Sequence, residues 1–392
     1  MTASAAEPSK TVYVLGAGFS RDANVPLQNE ILLQILDRLA AGEIADPSLR
    51  HILNCLSSSG AVPNLGDVFT LFDQALAEEQ CSLGLTWPDL AKARRALMDE
   101  VLTVIHQATQ AAKEEALDFY QSLAAALLTR RIRAGQQADP FSVVSLNWDC
   151  LLENAIYSCL KRAGALRQVD VDYCCYTTPL SSGCPHTPSV LQKARGIFNV
   201  KVLKLHGSAN WLLCAGCAQL FTGLGAEDEH WDQYVWPQFC PFCQGVASSE
   251  PGATEAPRLE PFFVTPTFLK VFENPHIRMV WHNAYMELVE ATRVVFVGYS
   301  LPEADYHLRA LLRRAIRPST AVVAVLVGRD EVAADTPLHL RCSLPAERYR
   351  AFFGADRVTV DLRGAQGFFE AELALGPLSE TLRALGQLLK NR

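Results

Sequence analysis

The stretch that decides the fold is Thr11–Ser20, TVYVLGAGFS. Its first five residues, Thr11–Leu15, are β-branched or apolar and predict a short buried strand that ends in the tight turn Gly16-Ala17-Gly18. Residues 27–39, LQNEILLQILDRL, then place leucine and isoleucine at helical spacing. A strand, a glycine turn and a helix in this order are typical of the opening βαβ unit of a nucleotide-binding sheet.

Further strand-length apolar runs follow along the chain, and stretches with helical spacing alternate with them. The strand predictions are Phe141–Leu146, Val200–Leu205, Val294–Val297, Ala321–Val327 and Val358–Leu362, and the later helices are predicted over residues 304–316 and 378–390. This alternation predicts an α/β fold with a doubly wound, Rossmann-like parallel sheet. Residues 165–195 and 211–245 show no regular pattern and are predicted to be irregular.

Between the first two predicted strands the chain is mainly helical. The clearest helical stretches are Asp67–Leu76, Ala91–Ile105 and Glu114–Arg133. We therefore expect three units. Residues 11–44, 136–213 and 261–392 form a discontinuous nucleotide-binding core, residues 45–135 form a helical insert, and residues 214–260 form a small cysteine-rich module.

The composition is that of a globular protein with a sizeable core. Of 392 residues 49% are apolar and 20% are charged, and the formal net charge is -7. A negative balance argues against general nucleic-acid binding, which needs a basic surface. Apolar runs stay far below the roughly 20 residues of a spanning helix. The start MTASAAEPSK also lacks the pattern of a secretory signal, so we expect a cytoplasmic location without a membrane partner.

Four predicted strand ends carry polar residues, and ligands of such sheets bind at the carboxyl ends of the strands. These ends are Gly16–Ser20, Asn147-Trp148-Asp149, His206-Gly207-Ser208 and Gly298-Tyr299-Ser300 with Asp305 beyond. Each has a plainer interpretation: an ordinary strand–helix turn, a helix cap, a structural histidine and a simple turn. Their common position favours one site. There the glycines admit a diphosphate, the hydroxyls contact ribose or phosphate, and the histidine is a general base.

Twelve cysteines are many for a cytoplasmic chain, and the spacing of four of them indicates a metal site. Cys214, Cys217, Cys240 and Cys243 form two C-x-x-C pairs, and two such knuckles complete a tetrahedral Zn²⁺ site. A closed four-thiolate site is structural. The alternatives are a redox pair or two disulfides, and Cys174, Cys175 and Cys184 are alternate ligands. We expect the remaining cysteines, Cys55, Cys81, Cys150, Cys159 and Cys342, in apolar surroundings, with no signature of a nucleophile.

Together these motifs resemble the sirtuin family, and in particular its bacterial sirtuin-like NADase branch. Gly16–Ser20 through Val25-Pro26 resembles the family's first motif, Asn147 and Asp149 its Asn-x-Asp motif, and His206-Gly207 its catalytic His-Gly. Gly298-Tyr299-Ser300 resembles the later nucleotide contact, and the cysteine pairs match the position of the zinc ribbon. The resemblance spans residues 11 to about 330.

The departures from protein-deacylating sirtuins point to the NADase branch. The arginine that those enzymes carry after the first motif is absent from Pro26-Leu27-Gln28-Asn29, and Pro261–Phe272 lacks their Phe-Gly-Glu segment. Pro266–Lys270, Asn64–Leu76 and Gly298–Leu312 instead resemble the NADase branch. Gly328 stands where the family usually has an asparagine after the Ala321–Val327 strand, and that asparagine contacts the adenosine ribose. Asn24 stands where the family has a glycine before Val25, a mild change because asparagine tolerates positive φ.

The resemblance implies a role for each matching residue in cleavage of the nicotinamide–ribose bond of NAD. Asn147 would position the water or the ribose, Asp149 would orient that site or bind the nicotinamide amide, and His206 would be the general base. The implied cofactor-binding residues are Gly16, Ala17, Gly18, Phe19, Ser20, Pro26, Trp148, Gly298, Ser300 and Asp305. The implied metal ligands are Cys214, Cys217, Cys240 and Cys243.

The implied activity is an NAD glycohydrolase that acts in antiphage defence by depleting NAD. The alternatives are an NAD-dependent protein-lysine deacylase and a non-catalytic subunit that binds NAD or ADP-ribose. An unrestrained NADase would drain its own cell, so regulation is expected. Roughly 30 residues follow the last predicted strand, too few for a sensor domain. We therefore expect control by homo-oligomerisation or by a separately encoded activator or sensor protein.

Overall fold

The computed structural model describes residues 9–57, 64–79, 81–166, 168–179, 197–222, 239–247, 256–265, 274–327 and 344–390. The features predicted at Cys184, Pro266–Lys270, Gly328 and Cys342 lie outside these residues. No helix within the described ranges is both long enough and apolar enough to span a membrane.

The described strands form a large and a small sheet. In chain order they are β1 (Thr11–Leu15), β2 (Phe141–Ser145), β3 (Val169–Asp172), β4 (Thr177–Pro179), β5 (Phe198–Lys204), β6 (Gly207–Cys214), β7 (Leu220–Thr222), β8 (Leu259–Phe263), β9 (Arg293–Val297), β10 (Ala321–Val325) and β11 (Val358–Asp361). The large sheet has the order β11-β10-β9-β1-β2-β5-β3, and the small one β4-β7-β6-β8.

The described helices connect these strands and cover the large sheet. They are α1 (Gln28–Ala40), α2 (Pro47–Ser57), α3 (Leu65–Ala77), α4 (Trp87–Gln110), α5 (Glu114–Ala134), α6 (Leu151–Ala163), α7 (Pro241–Ala247), α8 (Pro275–Glu290), α9 (Tyr306–Ala315), α10 (Pro345–Phe353), α11 (Gly364–Glu372) and α12 (Leu378–Lys390). Two short 3-10 turns, Ala17–Phe19 and Arg21–Ala23, follow β1.

All pairings in the large sheet are parallel. With the edge strand β3 set aside, the chain visits the other six strands in the Rossmann order. It builds outward from β1 through β2 and β5, and then returns to β9 on the other side of β1. Because ligands bind outside the carboxyl ends of strands where this order reverses, the ends of β1 and β9 are the expected position of a site.

The buried apolar residues of the described chain form two large clusters and a small one around the paired cysteines. Every residue of β1 and β2 is buried, as expected for parallel strands covered on both faces. Helices α1–α4 share a second cluster among themselves, and Phe263 of β8 reaches into it. Helix α5 packs instead on α6 and α12 against the large sheet. The division of the chain into three units stays a prediction.

This arrangement confirms the predicted fold class: a doubly wound parallel sheet with helices inserted between β1 and β2 and a small cysteine-bearing sheet. Two regions predicted to be irregular contain strands. Residues 169–172 form the edge strand β3, in which aspartates alternate with valines, and Asn199 Nδ2 donates to Asp172 Oδ2 at 3.0 Å. Trp211–Cys214 completes β6. The strand β3 lacks the continuous apolar run on which the sequence prediction relied, whereas β6 contains such a run only at its end, in Trp211–Cys214.

Candidate active site

A cavity of about 380 Å³ opens at the carboxyl ends of the central strands. The loop after β1 contributes Ala17, Val25 and Pro26, and the loop after β9 contributes Pro302, Ala304 and Asp305. The loop after β2 contributes Asn147, Trp148 and Asp149, and the turn after β5 contributes His206. The cavity therefore lies where the strand order predicts a ligand site.

The glycines of the first and last motifs pack against each other. Gly16 N donates to Val297 O at 2.9 Å, and Gly18 N donates to Gly298 O at 2.8 Å. A Cβ on Gly16 or Gly18 would lie 2.7–2.9 Å from atoms of the β9 loop. Phe19 N and Ser20 N donate to carbonyls within their own turn. These glycines are thus required for the close approach of two loops, and Ala17 is the turn's exposed residue in the cavity.

Replacing Gly298 by alanine is expected to destabilise the protein by about 3 kcal/mol or more. The residue has a φ of +64°, and a Cβ there would lie 2.2 Å from Phe19 N, a backbone atom that cannot move alone. Thermal unfolding measures the effect. Gly386→Ala in α12 is the control, since no atom lies within 4 Å of its added Cβ and a helical alanine is slightly stabilising. Equal melting temperatures for Gly298→Ala and the wild type would contradict this interpretation.

Ser20, Asn147 and Asp149 form a buried hydrogen-bond network behind the cavity. Ser20 Oγ donates to Asp149 Oδ2 at 2.8 Å and accepts from Asn147 Nδ2 at 3.0 Å. Asn147 Nδ2 also donates to Gly16 O at 3.0 Å. Asp149 Oδ1 accepts from Leu151 N, the first residue of α6, at 3.2 Å, while the N-cap position itself is held by Cys150 rather than by the predicted Asn147 or Asp149. The network fixes the amide of Asn147 so that its oxygen is the atom left to accept a hydrogen bond from a ligand.

The half-buried His206 occupies the turn between β5 and β6. Its Nδ1 lies 3.1 Å from Leu146 O. A carbonyl only accepts, so Nδ1 carries the proton of the neutral imidazole and Nε2 is the basic nitrogen. The backbone of the turn is held on both sides, because Trp281 Nε1 donates to Leu205 O and Val264 N donates to His206 O, each at 2.8 Å. The contacts fix both the tautomer and the position of the imidazole.

Helices of the inserted layer supply the wall opposite the large sheet. Gln28 and Ile31 of the α1 region, Asn64 and Gly66 at the start of α3, and Ile105 of α4 line the cavity. Asn64 caps α3, accepting from Asp67 N at 2.9 Å, so the positive end of this helix faces the cavity. Sequence reasoning did not place these residues at the site. The capping pattern Asn64-x-x-Asp67 was the available signal, but it locates a helix start rather than a cavity wall.

The charged residues lining the cavity are acidic. Asp149 and Asp305 are the carboxylates, and neither lysine nor arginine lines the cavity in the described part of the chain. Tyr299 donates to Asp305 Oδ2 at 2.9 Å and keeps one carboxylate oxygen oriented. An anionic group here has to be bound by neutral donors and by the start of α3, whereas a cationic ring is favoured beside the carboxylates.

The structure brings together about half of the predicted site residues. Those that line the cavity are Ala17, Pro26, Asn147, Trp148, Asp149, His206 and Asp305. Gly16, Gly18, Ser20 and Gly298 lie behind it in the contacts described above. Phe19 is in the core, 2% exposed, with its ring edge-on to Tyr120, and Ser300 is exposed with its carbonyl bound by Arg348. Trp148 packs on Phe263 at a ring-centroid distance of 4.9 Å and closes one side.

Among the described residues, no cysteine lines this cavity. Cys150 directly follows Asp149, and its burial raises the pKa of the thiol to about 12. It is therefore a protonated thiol at neutral pH, and the thiolate is the reactive form. Of the cysteines predicted in apolar surroundings, Cys159 is buried in the apolar core. Cys150 is buried too, but its Sγ lies 3.3 Å from Ser208 Oγ and its neighbours include charged groups. Cys81 is exposed, so the prediction is wrong there, and Cys55 is partly exposed.

The four paired cysteines converge as predicted. Cys214 ends β6, Cys217 follows in the next turn, and Cys240 and Cys243 lie at the start of α7. The sulfurs of all four lie within 4.8 Å of one another, with Cys214–Cys243 at 3.7 Å and Cys217–Cys240 at 3.6 Å. Tetrahedral Zn²⁺ with Zn–S bonds of about 2.3 Å requires sulfur separations of about 3.8 Å, so the donor set fits zinc. Cys174 and Cys175 do not belong to this cluster.

Comparison with known proteins gives no match to a family model and none to a curated protein. Among solved structures, a Sir2 homologue in complex with NAD is 16% identical over 96% of this chain and 90% of its own, with a TM-score of 0.40. A Sir2 protein bound to a propionylated peptide is 14% identical over 93% and 94%, with a TM-score of 0.41. With TM-scores of 0.40 and 0.41, these likenesses carry no conclusion about fold or function, and the fold class rests on the strand order.

Proposed function

We propose that this protein is a sirtuin-like NAD glycohydrolase that cleaves NAD to nicotinamide and ADP-ribose. The single observation that carries the proposal is the hydrogen bond between His206 Nδ1 and Leu146 O, which leaves Nε2 as a base beside the cavity. Asn147 and Asp149 line the same cavity, at the reversal of a Rossmann sheet. The motif resemblance of Gly16–Ser20, Asn147, Asp149 and His206 to sirtuins supports the choice of substrate.

The arrangement suits a dissociative cleavage of the C1′–nitrogen bond. The bonding pair leaves with nicotinamide, whose ring loses its positive charge, and the ribose becomes an oxocarbenium-like cation. The Asp149 carboxylate, held by Ser20 and Leu151, stabilises that cation electrostatically. A water bound to Asn147 Oδ1 attacks C1′ and gives its proton to His206 Nε2. The products are nicotinamide, ADP-ribose and one proton.

The diphosphate has to be bound without a cation from the cavity wall. The start of α3 at Asn64 and Gly66 presents a positive helix end, and Ala17 is the exposed residue of the first turn. The backbone amides of Gly16, Ala17 and Gly18 cannot all bind the diphosphate. Those of Gly16 and Gly18 already donate hydrogen bonds to backbone carbonyls of the protein. Trp148 shields the nicotinamide end from solvent.

Incubation with NAD tests the proposal directly. We expect nicotinamide and ADP-ribose in equal amounts without any peptide, measured by chromatography at high protein concentration, with and without the products of neighbouring genes. Asn147→Ala is expected to abolish turnover, since it removes both the water acceptor and the bond to Gly16 O. Absence of NAD loss under every condition would reject the glycohydrolase.

The same assay separates the alternatives. A deacylase releases nicotinamide only when an acyl-lysine peptide is present, and the missing Phe-Gly-Glu segment over residues 261–272 disfavours it. A non-catalytic subunit is stabilised thermally by NAD or ADP-ribose but never consumes NAD. Glycohydrolysis is distinguished from both by product formation from NAD and water alone.

We also propose that the enzyme acts in antiphage defence by NAD depletion, as the resemblance implies. It would be cytoplasmic and held inactive until an activator or sensor protein, or its own oligomerisation, releases it. Native mass measurement with and without neighbouring gene products tests this regulation. A monomer that turns over NAD at full rate on its own would contradict it.

A further inference from the structure

A buried lysine lies directly beneath the loop that carries Asn147 and Asp149. Lys204 ends β5, two residues before His206, and its side chain is 0% exposed. Its Nζ donates to the backbone carbonyl of Asp149 at 2.5 Å. The same Nζ lies 3.1 Å from Glu153 Oε1 in the first turn of α6. One ammonium thus joins the end of β5 to the loop after β2.

The contacts of Lys204 Nζ with Glu153 and with the Asp149 carbonyl differ in kind: the first is an ion pair and the second a hydrogen bond to the backbone. Burial acts to lower the pKa of Lys204, but the charge of Glu153 and its other neighbours outweighs this and raises the pKa, so the lysine stays charged. Glu153 faces that charge at ion-pair distance, and burial raises the pKa of its carboxyl although the charge of Lys204 acts to lower it. The hydrogen bond of Lys204 goes to the Asp149 carbonyl. Replacing a buried ion pair by neutral residues often costs no stability. The burial of this pair is therefore weak evidence for a stabilising role.

We propose that Lys204 is a positioning residue that sets the loop Asn147–Cys150 for catalysis, with Glu153 as its ion-pair partner. A shift of the Asp149 carbonyl would also move the side chains of Asp149 and Asn147. The Asp149 carboxylate accepts a hydrogen bond from Ser20 Oγ, and the same hydroxyl accepts one from Asn147 Nδ2. A displacement of about 1 Å in such a site can cost about 100-fold in rate. Only the activity arm of the test below rests on the proposed NAD cleavage.

The test removes the pair without leaving a lone buried charge. Lys204→Met/Glu153→Gln deletes both charges and the hydrogen bond to Asp149. The control is Lys10→Met/Glu287→Gln, which removes a buried pair of 2.7 Å next to the amino end of β1. This pair belongs to a network with Asp139, Glu290 and Lys201, and Lys201 keeps its ion pair with Asp139 in the control. We expect the first variant to lower kcat for NAD by about 10- to 100-fold with KM changed less than about 3-fold. The control should keep the wild-type kcat.

Hydrogen exchange by mass spectrometry gives a readout that does not depend on activity. In Lys204→Met/Glu153→Gln, exchange should accelerate in peptides that cover residues 145–152 and stay unchanged in β1 and β9. Unchanged exchange at 145–152, or an unchanged kcat, overturns the positioning role. If the wild type fails to cleave NAD, the proposed function is rejected and exchange alone decides on Lys204. If neither this variant nor Lys204→Met/Glu153→Leu folds, Lys204 is structural and the proposal is overturned.

Discussion

Replacing His206 by alanine is expected to lower NAD turnover by about 10²–10⁴-fold, the usual contribution of a positioned general base. The reason lies in the hydrogen bond from Nδ1 to Leu146 O, which makes Nε2 the basic nitrogen of the neutral imidazole. The substitution removes that base without opening the core, because the backbone of the turn is held by Trp281 and Val264. The melting temperature and the affinity for ADP-ribose should therefore stay close to those of the wild type.

Two variants sharpen this prediction. His282→Ala removes an exposed histidine of α8 that does not line the cavity and should leave turnover unchanged. His206→Gln keeps polarity but has no titratable nitrogen, so it should be as inactive as alanine and should lose the pH dependence of kcat. Full activity in either His206 variant would show that another group accepts the proton of water.

The central strands could be predicted from the sequence because both of their faces are buried. Thr11–Leu15 has the predicted bounds, and Phe141–Ser145 and Arg293–Val297 differ from prediction by one residue at one end. Such strands form continuous apolar runs that stand out against their surroundings. β3 could not be found in this way, because Asp170 and Asp172 alternate with its valines. Their partners, Tyr157 and Asn199, lie elsewhere in the chain and are only known once it is folded.

The candidate site was predictable to the extent that it follows the strand order. Polar residues at the ends of β1, β2, β5 and β9 had to converge once the sheet was parallel. The opposite wall depends on how α1, α3 and α4 dock, which no local pattern specifies. The role of the glycines also needed the structure, since Gly18 meets Gly298, 280 positions away, and this contact explains both residues without a ligand.

Removal of the metal from the four-cysteine cluster is expected to unfold the small module that carries it. Among the described residues, the buried cluster around the sulfurs comprises Leu212, Cys214, Phe221, Cys240 and Leu259, of which three are not cysteines. Metal–sulfur bonds are expected to supply much of the free energy that holds α7 against β6, because a structural zinc site contributes directly to folding. We expect elemental analysis to find one zinc per chain in the wild type and none in Cys217→Ser or Cys243→Ser. In both variants the amides of α7 should lose their protection from hydrogen exchange. Chelation of the reduced protein should have the same effect.

Loss of the metal should also affect the candidate active site, because β6 connects the turn that carries His206 to the cysteine cluster. It begins at Gly207, next to His206, and ends at the ligand Cys214, while Leu259 of β8 pairs with Cys214 and Val264 bonds His206. Metal loss should therefore lower turnover as well as stability. Cys81→Ser, an exposed cysteine outside the cluster, is the control and should keep the zinc. Stoichiometric disulfides in place of zinc would contradict the assignment, since bonded sulfurs lie about 2.05 Å apart rather than at the separations found here.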